Sequence, residues 1–288
     1  MLSSKYKGIV YIIISAFFFA LMNTFVKLSG DLPTFQKALF RNLIAAIFAC
    51  IILLKNKSSF LPKNKKNIKY FVLRTIFGLL GVLCNFYCLD YLIVSDASIL
   101  NKVSPFFAMI FSFFIIKEKP KVWQFLLVGG AFIGAVFVIK PSFYNAQFLP
   151  ALIGFIGGAS AGMAYTFVRK LGTLNEDSAY IVFFFSVFST LALAVPTVVT
   201  YKPMTTSQVF ILLGAGFSAA LGQIFITYAY TNSPPKEISI YDYTQIIFAA
   251  VLGFIFFNQL PDIYSIIGYI IIVSMAVINF LIPKIKNK

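Results

Sequence analysis

GIVYIIISAFFFALMNTFVKL, residues 8–28, is an apolar run long enough to cross a bilayer, interrupted only near its end by Asn23 and Lys27. A spanning helix needs about 20 predominantly apolar residues. Stretches of the same kind recur at 35–54, 68–88, 95–116, 122–140, 149–170, 178–199, 207–230, 236–257 and 263–282. The pattern predicts ten spans in 288 residues, which leaves little chain for a soluble domain. The first stretch is too long for a signal-peptide core and lacks a cleavage site, so it is expected to be a retained helix.

Composition agrees with this expectation. The chain is 60% hydrophobic and 11% charged, with mean hydropathy +0.89, whereas soluble domains carry about 25% charged residues. Cys50, Cys84 and Cys88 all fall within apolar stretches and give no disulfide framework, and without histidine a Cys/His metal site is excluded.

The net charge of +15 is placed as a topology signal. Basic residues cluster at Lys5 and Lys7, along Lys55–Lys69, at Lys117, Lys119 and Lys121, at Arg169 and Lys170, and at Lys284, Lys286 and Lys288. With ten spans and an internal N-terminus, every cluster faces the cytoplasm. Lys37, Lys140 and Lys202 are left on the other side. Positive loops stay inside, so both termini are expected there. No Arg-rich or aromatic-interleaved surface accompanies the charge, and a nucleic-acid partner is not expected.

The quoted stretch also opens a repeat. MNTFVKL at 22–28 resembles AYTFVRK at 164–170, and further on Val103-Ser104-Pro105 aligns with Tyr243-Thr244-Gln245. Residues 1–140 and 141–288 then form two five-span units. An odd number of spans per unit inverts the second relative to the first. The expected fold is therefore all-α and polytopic, with ten transmembrane helices in two inverted five-helix repeats around a central cavity.

Lys102 and Asp242 interrupt the fourth and ninth spans at equivalent repeat positions. An ionisable group at that depth is costly unless it meets a partner or a cavity. The two are expected either to pair or to sit independently, with Lys102 reaching a headgroup. A polar inventory surrounds them: Asn23, Asn85, Tyr87, Asn101, Tyr165, Gln223, Tyr241 and Gln245 as substrate-binding candidates, and Asp96 and Glu237 as coupling candidates. Pro105, about ten residues into the fourth span, is expected to kink it and to act in gating. Spans 1, 3, 4, 6, 8 and 9 should line the cavity. Arg41, Arg74 and Lys27 lie near span ends and read as snorkelling or loop-holding residues. Glycines at 78, 81, 130, 134, 154, 157, 158 and 162 mark close helix contacts.

The ten-span repeat, the segment Asp96-Ala97-Ser98-Ile99-Leu100-Asn101-Lys102-Val103-Ser104-Pro105 and the turn Ile116-Lys117-Glu118-Lys119 resemble the EamA-type transporters of the drug/metabolite transporter superfamily. Pro105 and Glu118 match family features, whereas the second half carries Gln245 and Asn258 at those places. The resemblance implies transport of amino acid-like or nucleotide-related solutes, with spans 5 and 10 peripheral and the protein a monomer or homodimer.

Amides, phenols and two charges suit a small polar metabolite, carried through a lipid bilayer by alternating access with protons or a counter-substrate as coupling partners. No catalytic motif, cofactor site or metal cluster is evident. The expectation is a secondary transporter and not an enzyme. A first-half likeness to bacterial S-adenosylmethionine uptake proteins supplies one alternative, and a membrane enzyme acting on lipid supplies another. The Ile-, Phe-, Asn- and Lys-rich vocabulary points to a bacterial cytoplasmic membrane.

Overall fold

The computed structural model describes residues 4–117, 122–139, 147–233 and 241–286. Its helices are α1 (Ser4–Leu28), α2 (Thr34–Lys55), α3 (Ile68–Tyr91), α4 (Val94–Asn101), α5 (Ser104–Ile115), α6 (Val122–Ile139), α7 (Phe148–Thr173), α8 (Ser178–Val199), α9 (Thr206–Asn232), α10 (Thr244–Phe257) and α11 (Ile263–Lys286). The protein is an all-α polytopic membrane protein. Among the described residues, seven helical stretches are long and apolar enough to cross a bilayer, and Thr244–Phe257 and Ile263–Met275 are shorter apolar helices. The fourth expected span corresponds to α4 and α5 together.

Helix starts are set by local polar chemistry. Thr205 and Gln208 form a capping box at α9, so two otherwise orphaned amides find partners. The Asp177 carboxylate accepts the Ala179 N–H at 2.7 Å at the start of α8, and Asp262 accepts the Ser265 N–H at 2.8 Å in α11.

Burial is inverted relative to a soluble bundle. Leu191, Val195 and Val198 on α8, Phe210 on α9, and Ile247 and Ile255 on α10 are exposed, while Asn23, Arg41, Arg74, Asn85, Lys102, Gln223 and Asp242 are buried. Apolar side chains cost nothing against lipid, whereas polar ones must turn inward to find partners.

The packing order is that of an inverted repeat. Exchanging α1 with α7, α2 with α8, α3 with α9, the α4–α5 pair with α10, and α6 with α11 maps the main contacts onto one another. Thus α3 packs on α7 as α1 packs on α9, α5 packs on α7 as α10 packs on α1, and α2–α8 and α6–α11 map onto themselves. The ends obey the same exchange. At one end Gln36, in the first turn of α2, donates to the Lys202 carbonyl at 3.0 Å and accepts its N–H at 3.1 Å. At the other, buried Glu176, just before α8, accepts the Lys63 and Asn64 N–H groups at 3.0 and 3.4 Å and the Asn67 amide at 2.6 Å.

Glycines permit the closest approaches. On α7, a methyl at Gly162 would lie 2.6 Å from the Ser104 carbonyl and 2.9 Å from the Ala108 amide, and one at Gly158 would strike the Leu100 carbonyl. The α4–α5 segment therefore lies directly on the α7 backbone. The Gly130/Gly134 pair of α6 faces Met275, Ile271 and Ile272 of α11, so that stripe is used within the chain. Gly162→Val should destabilise the protein by about 1–3 kcal/mol through overpacking. Gly129, whose added methyl meets nothing within 4 Å, should accept alanine without loss. Thermal unfolding of both variants in detergent checks the contrast.

Candidate substrate cavity

The fourth span is interrupted just before Pro105. Lys102 and Val103 form a short turn whose backbone stays near-helical, the Lys102 N–H still bonding to the Ser98 carbonyl at 3.1 Å. Pro105 sits buried in the first turn of α5, where its missing N–H costs least. The Lys102 N–H also reaches the Ile99 carbonyl at 2.9 Å. The equivalent break in the second half falls at Tyr243, between the helical residues Tyr241 and Asp242 and the start of α10. Turns within spans at equivalent places are where carriers of inverted repeats build their sites.

The two breaks meet. Lys102 Nζ lies 2.7 Å from Asp242 Oδ2, with the side chains 2% and 0% exposed, and the Tyr243 hydroxyl donates to the Lys102 carbonyl at 3.0 Å. The pair therefore joins the halves by an ion contact and a hydrogen bond to interrupted backbone. Removing one partner would strand a buried charge.

Beside this junction lies a cavity of about 60 Å³. Asn23 of α1, Asn85 of α3, Asn101 and Lys102 at the break, Tyr165 of α7, Gln223 of α9 and Gln245 of α10 all line it. Asn85 Nδ2 donates to Asn23 Oδ1 at 3.1 Å, and Asn23 Nδ2 in turn donates to Ser98 Oγ at 3.4 Å. Tyr165 stacks on Tyr230 with ring centroids 4.9 Å apart. Phe19, Met22 and Phe86 form an apolar part of the wall.

Other candidates lie elsewhere. Tyr87 does not line the cavity; it packs on Tyr91 near the end of α3, with centroids 4.9 Å apart. Tyr241 precedes the second break and is also outside the lining. Asp96 is buried against α11, where its Oδ1 accepts the Tyr269 hydroxyl at 2.5 Å. Glu237 and Glu118 lie outside the described residues.

Arg41 and Arg74 correct their expected roles. Neither snorkels: both are 2% exposed and line the cavity, as does Phe185 of α8, so α2 and α8 join the expected lining helices. Arg41 donates to Asn42 Oδ1 at 2.6 Å and Gln223 Oε1 at 3.1 Å. Arg74 Cζ lies 3.8 Å from the Phe185 ring centroid, and Arg41 Cζ 5.3 Å from it. A methyl at Gly78 would collide with the Arg74 guanidinium, so this glycine lets the side chain lie along its own helix. The legible signal was the spacing Arg74, Gly78, Gly81, Asn85, one face of α3 with polar and small residues only. Lys27 does hold a helix end: its Nζ donates to the Leu89 carbonyl at 3.0 Å and to the Leu92 carbonyl.

An all-α membrane bundle with inverted-repeat packing and a polar cavity at two broken helices defines a carrier-type membrane protein. The chain belongs to the EamA-like transporter family, whose sequence model matches residues 6–140 and 148–281. It is 27% identical over 272 residues to the pseudopaline exporter CntI of Pseudomonas aeruginosa, covering 94% of each chain. It is 25% identical over 288 residues to a transporter of Helicobacter pylori, covering 97% of this chain and 96% of that one. A crystal structure with TM-score 0.69 and 13% identity covers 98% of this chain and 99% of its own, a likeness of fold. The protein is a secondary transporter that moves a small polar solute across a membrane, and its function is transport, not catalysis.

Lys102→Met or Asp242→Asn should each lower stability by about 3–5 kcal/mol, the range for a buried pair deprived of one partner. The double variant should recover most of that loss. Thermal unfolding across all four combinations tests this, and coupling below about 0.5 kcal/mol would mean that the charges act independently.

Proposed function

We propose that this transporter works by alternating access in a bacterial cytoplasmic membrane, with ten spans in two inverted five-span units, residues 1–140 and 141–288. Both termini and the Lys55–Lys69 loop face the cytoplasm. The observation that carries the reading is the meeting of two interrupted helices, one from each unit, through Lys102 and Asp242 beside a polar cavity. Asn23, Asn85, Asn101, Lys102, Tyr165, Gln223 and Gln245 contact the solute, and Asp242 holds Lys102 in place. Pro105 fixes where the fourth span resumes.

The Gln36–Lys202 and Glu176–Lys63 contacts act as gates at opposite ends, each joining corners that exchange under the repeat. Rocking of the units opens one gate at a time. A carrier needs both movements for each cycle, because the site must face each side in turn.

In a background with Cys50, Cys84 and Cys88 replaced, Gln36→Cys/Lys202→Cys and Glu176→Cys/Lys63→Cys pairs would be bridged with a bismaleimide after reconstitution into liposomes. Either bridge should reduce exchange of a radiolabelled amino acid and nucleoside mixture at least tenfold, reversed with a cleavable linker. Full exchange with a gate bridged would overturn alternating access.

Lys63→Cys in intact cells should resist a membrane-impermeant maleimide and react after permeabilisation, whereas Lys202→Cys should react from outside. The opposite pattern would invert the orientation.

A further inference from the structure

Among the described residues, the cavity holds more positive charge than its side chains neutralise. Arg41 and Arg74 reach it from α2 and α3, both buried. The hydrogen-bond acceptors of Arg41, Asn42 Oδ1 and Gln223 Oε1, are neutral carboxamides. Arg41 Nε, Arg74 Nε and Arg74 Nη1 are buried without a hydrogen-bond partner among the described residues. Phe185 offers its ring face to both guanidinium groups, which attracts them without cancelling charge.

The described carboxylates are engaged elsewhere. Asp90 pairs with Lys37, Asp96 with the Tyr269 hydroxyl, and Glu176 with the Lys63–Asn67 turn. Asp177 and Asp262 cap helix starts, and Asp31 is exposed. Asp242 is matched one to one by Lys102. With that pair neutral as a unit, two guanidinium charges remain among the described residues.

We propose that the transported solute is an organic anion whose carboxylate or phosphate group is held between Arg41 and Arg74. This rests on the cavity being the transport site. A planar guanidinium presents paired N–H donors that match carboxylate and phosphate oxygens, and a desolvated cation gains most from an opposite charge brought to it. The unpaired donors of Arg74 and the free Nε of Arg41 supply the hydrogen bonds. Asn23, Asn85 and Gln245 provide amides for hydroxyl or amino groups of the solute, and Phe19 with Phe86 covers its carbon skeleton. Two fixed positive charges also disfavour amines and sulfonium compounds such as S-adenosylmethionine by repulsion.

The test is thermal unfolding of the purified full-length protein at constant ionic strength, titrated with citrate, L-glutamate and glycerol 3-phosphate, and in parallel with L-glutamine, putrescine and S-adenosylmethionine. At least one anion should raise Tm saturably, with carboxylates against glycerol 3-phosphate separating the two acid groups. Arg41→Gln and Arg74→Gln should each weaken that anion's apparent affinity at least tenfold. Arg74→Lys should lose less than Arg74→Gln, and the exposed-residue variant Lys55→Gln should bind as the parent does. The parent titrations stand even where an arginine variant fails to fold.

No response to any anion, or an equal response to the neutral and cationic probes, would overturn the proposal. A cation that stabilises the parent and loses its effect in Asn85→Leu would overturn the anion while keeping the cavity as the site. Anion stabilisation untouched by Arg41→Gln, Arg74→Gln and Asn85→Leu would overturn both.

Discussion

The contact between Lys102 and Asp242, 2.7 Å long and closed to solvent, joins the two places where helices turn within the bundle. A broken helix exposes backbone groups that lipid cannot satisfy, and an isolated charge at that depth costs several kcal/mol. Brought together, the two turns address both problems: opposite charges meet, and the Tyr243 hydroxyl serves the carbonyl of Lys102. The glycines of α7 then let the first break rest on a neighbouring backbone, with Gly158 under the Leu100 carbonyl and Gly162 under that of Ser104. The cavity adjoins this junction, with Asn101 and Lys102 in its wall.

A wall built for binding is a poor wall for stability. Arg41 and Arg74 stand with donors unmatched, and the Gln245 side-chain oxygen accepts no hydrogen bond among the described residues. Each such group forfeits hydration without full compensation. The surrounding contacts offset that cost: the α6–α11 and α3–α7 seams pack through small residues, and Glu176 gathers three donors at one corner. Strong corners and seams around an under-satisfied centre are the expected arrangement where a ligand supplies the missing partners.

Much of this was legible before any coordinates. Apolar run length marks a span almost regardless of tertiary context, because the bilayer imposes it. The Lys102–Asp242 relation was visible since each charge interrupts a span at an equivalent register, although sequence left open whether they touch. Arg41 and Arg74 were harder. Their distance from a span end matches that of a snorkelling residue, and only the way α3 turns toward α8 decides that Arg74 lies under the Phe185 ring. Tyr87 and Tyr241 lie outside the cavity lining: a tyrosine in a span reads the same whether it faces a cavity or, as Tyr87 does, a neighbouring ring. Pro105 showed where the helix changes but not that a two-residue turn precedes it.

The opposite signs of Lys102 and Asp242 also bear on how such a protein responds to voltage. A single elementary charge carried across a membrane exchanges about 2.3 kcal/mol with each 100 mV of potential. A cation and an anion that travel together exchange nothing, so the joint between the halves is electrically silent however far it moves. The guanidinium groups on α2 and α3 have no such companion among the described side chains. Any displacement of theirs through the field registers as current unless a bound anion travels with them. The cell's potential would thus act differently on the loaded and empty forms, and would set which half of the cycle limits the rate.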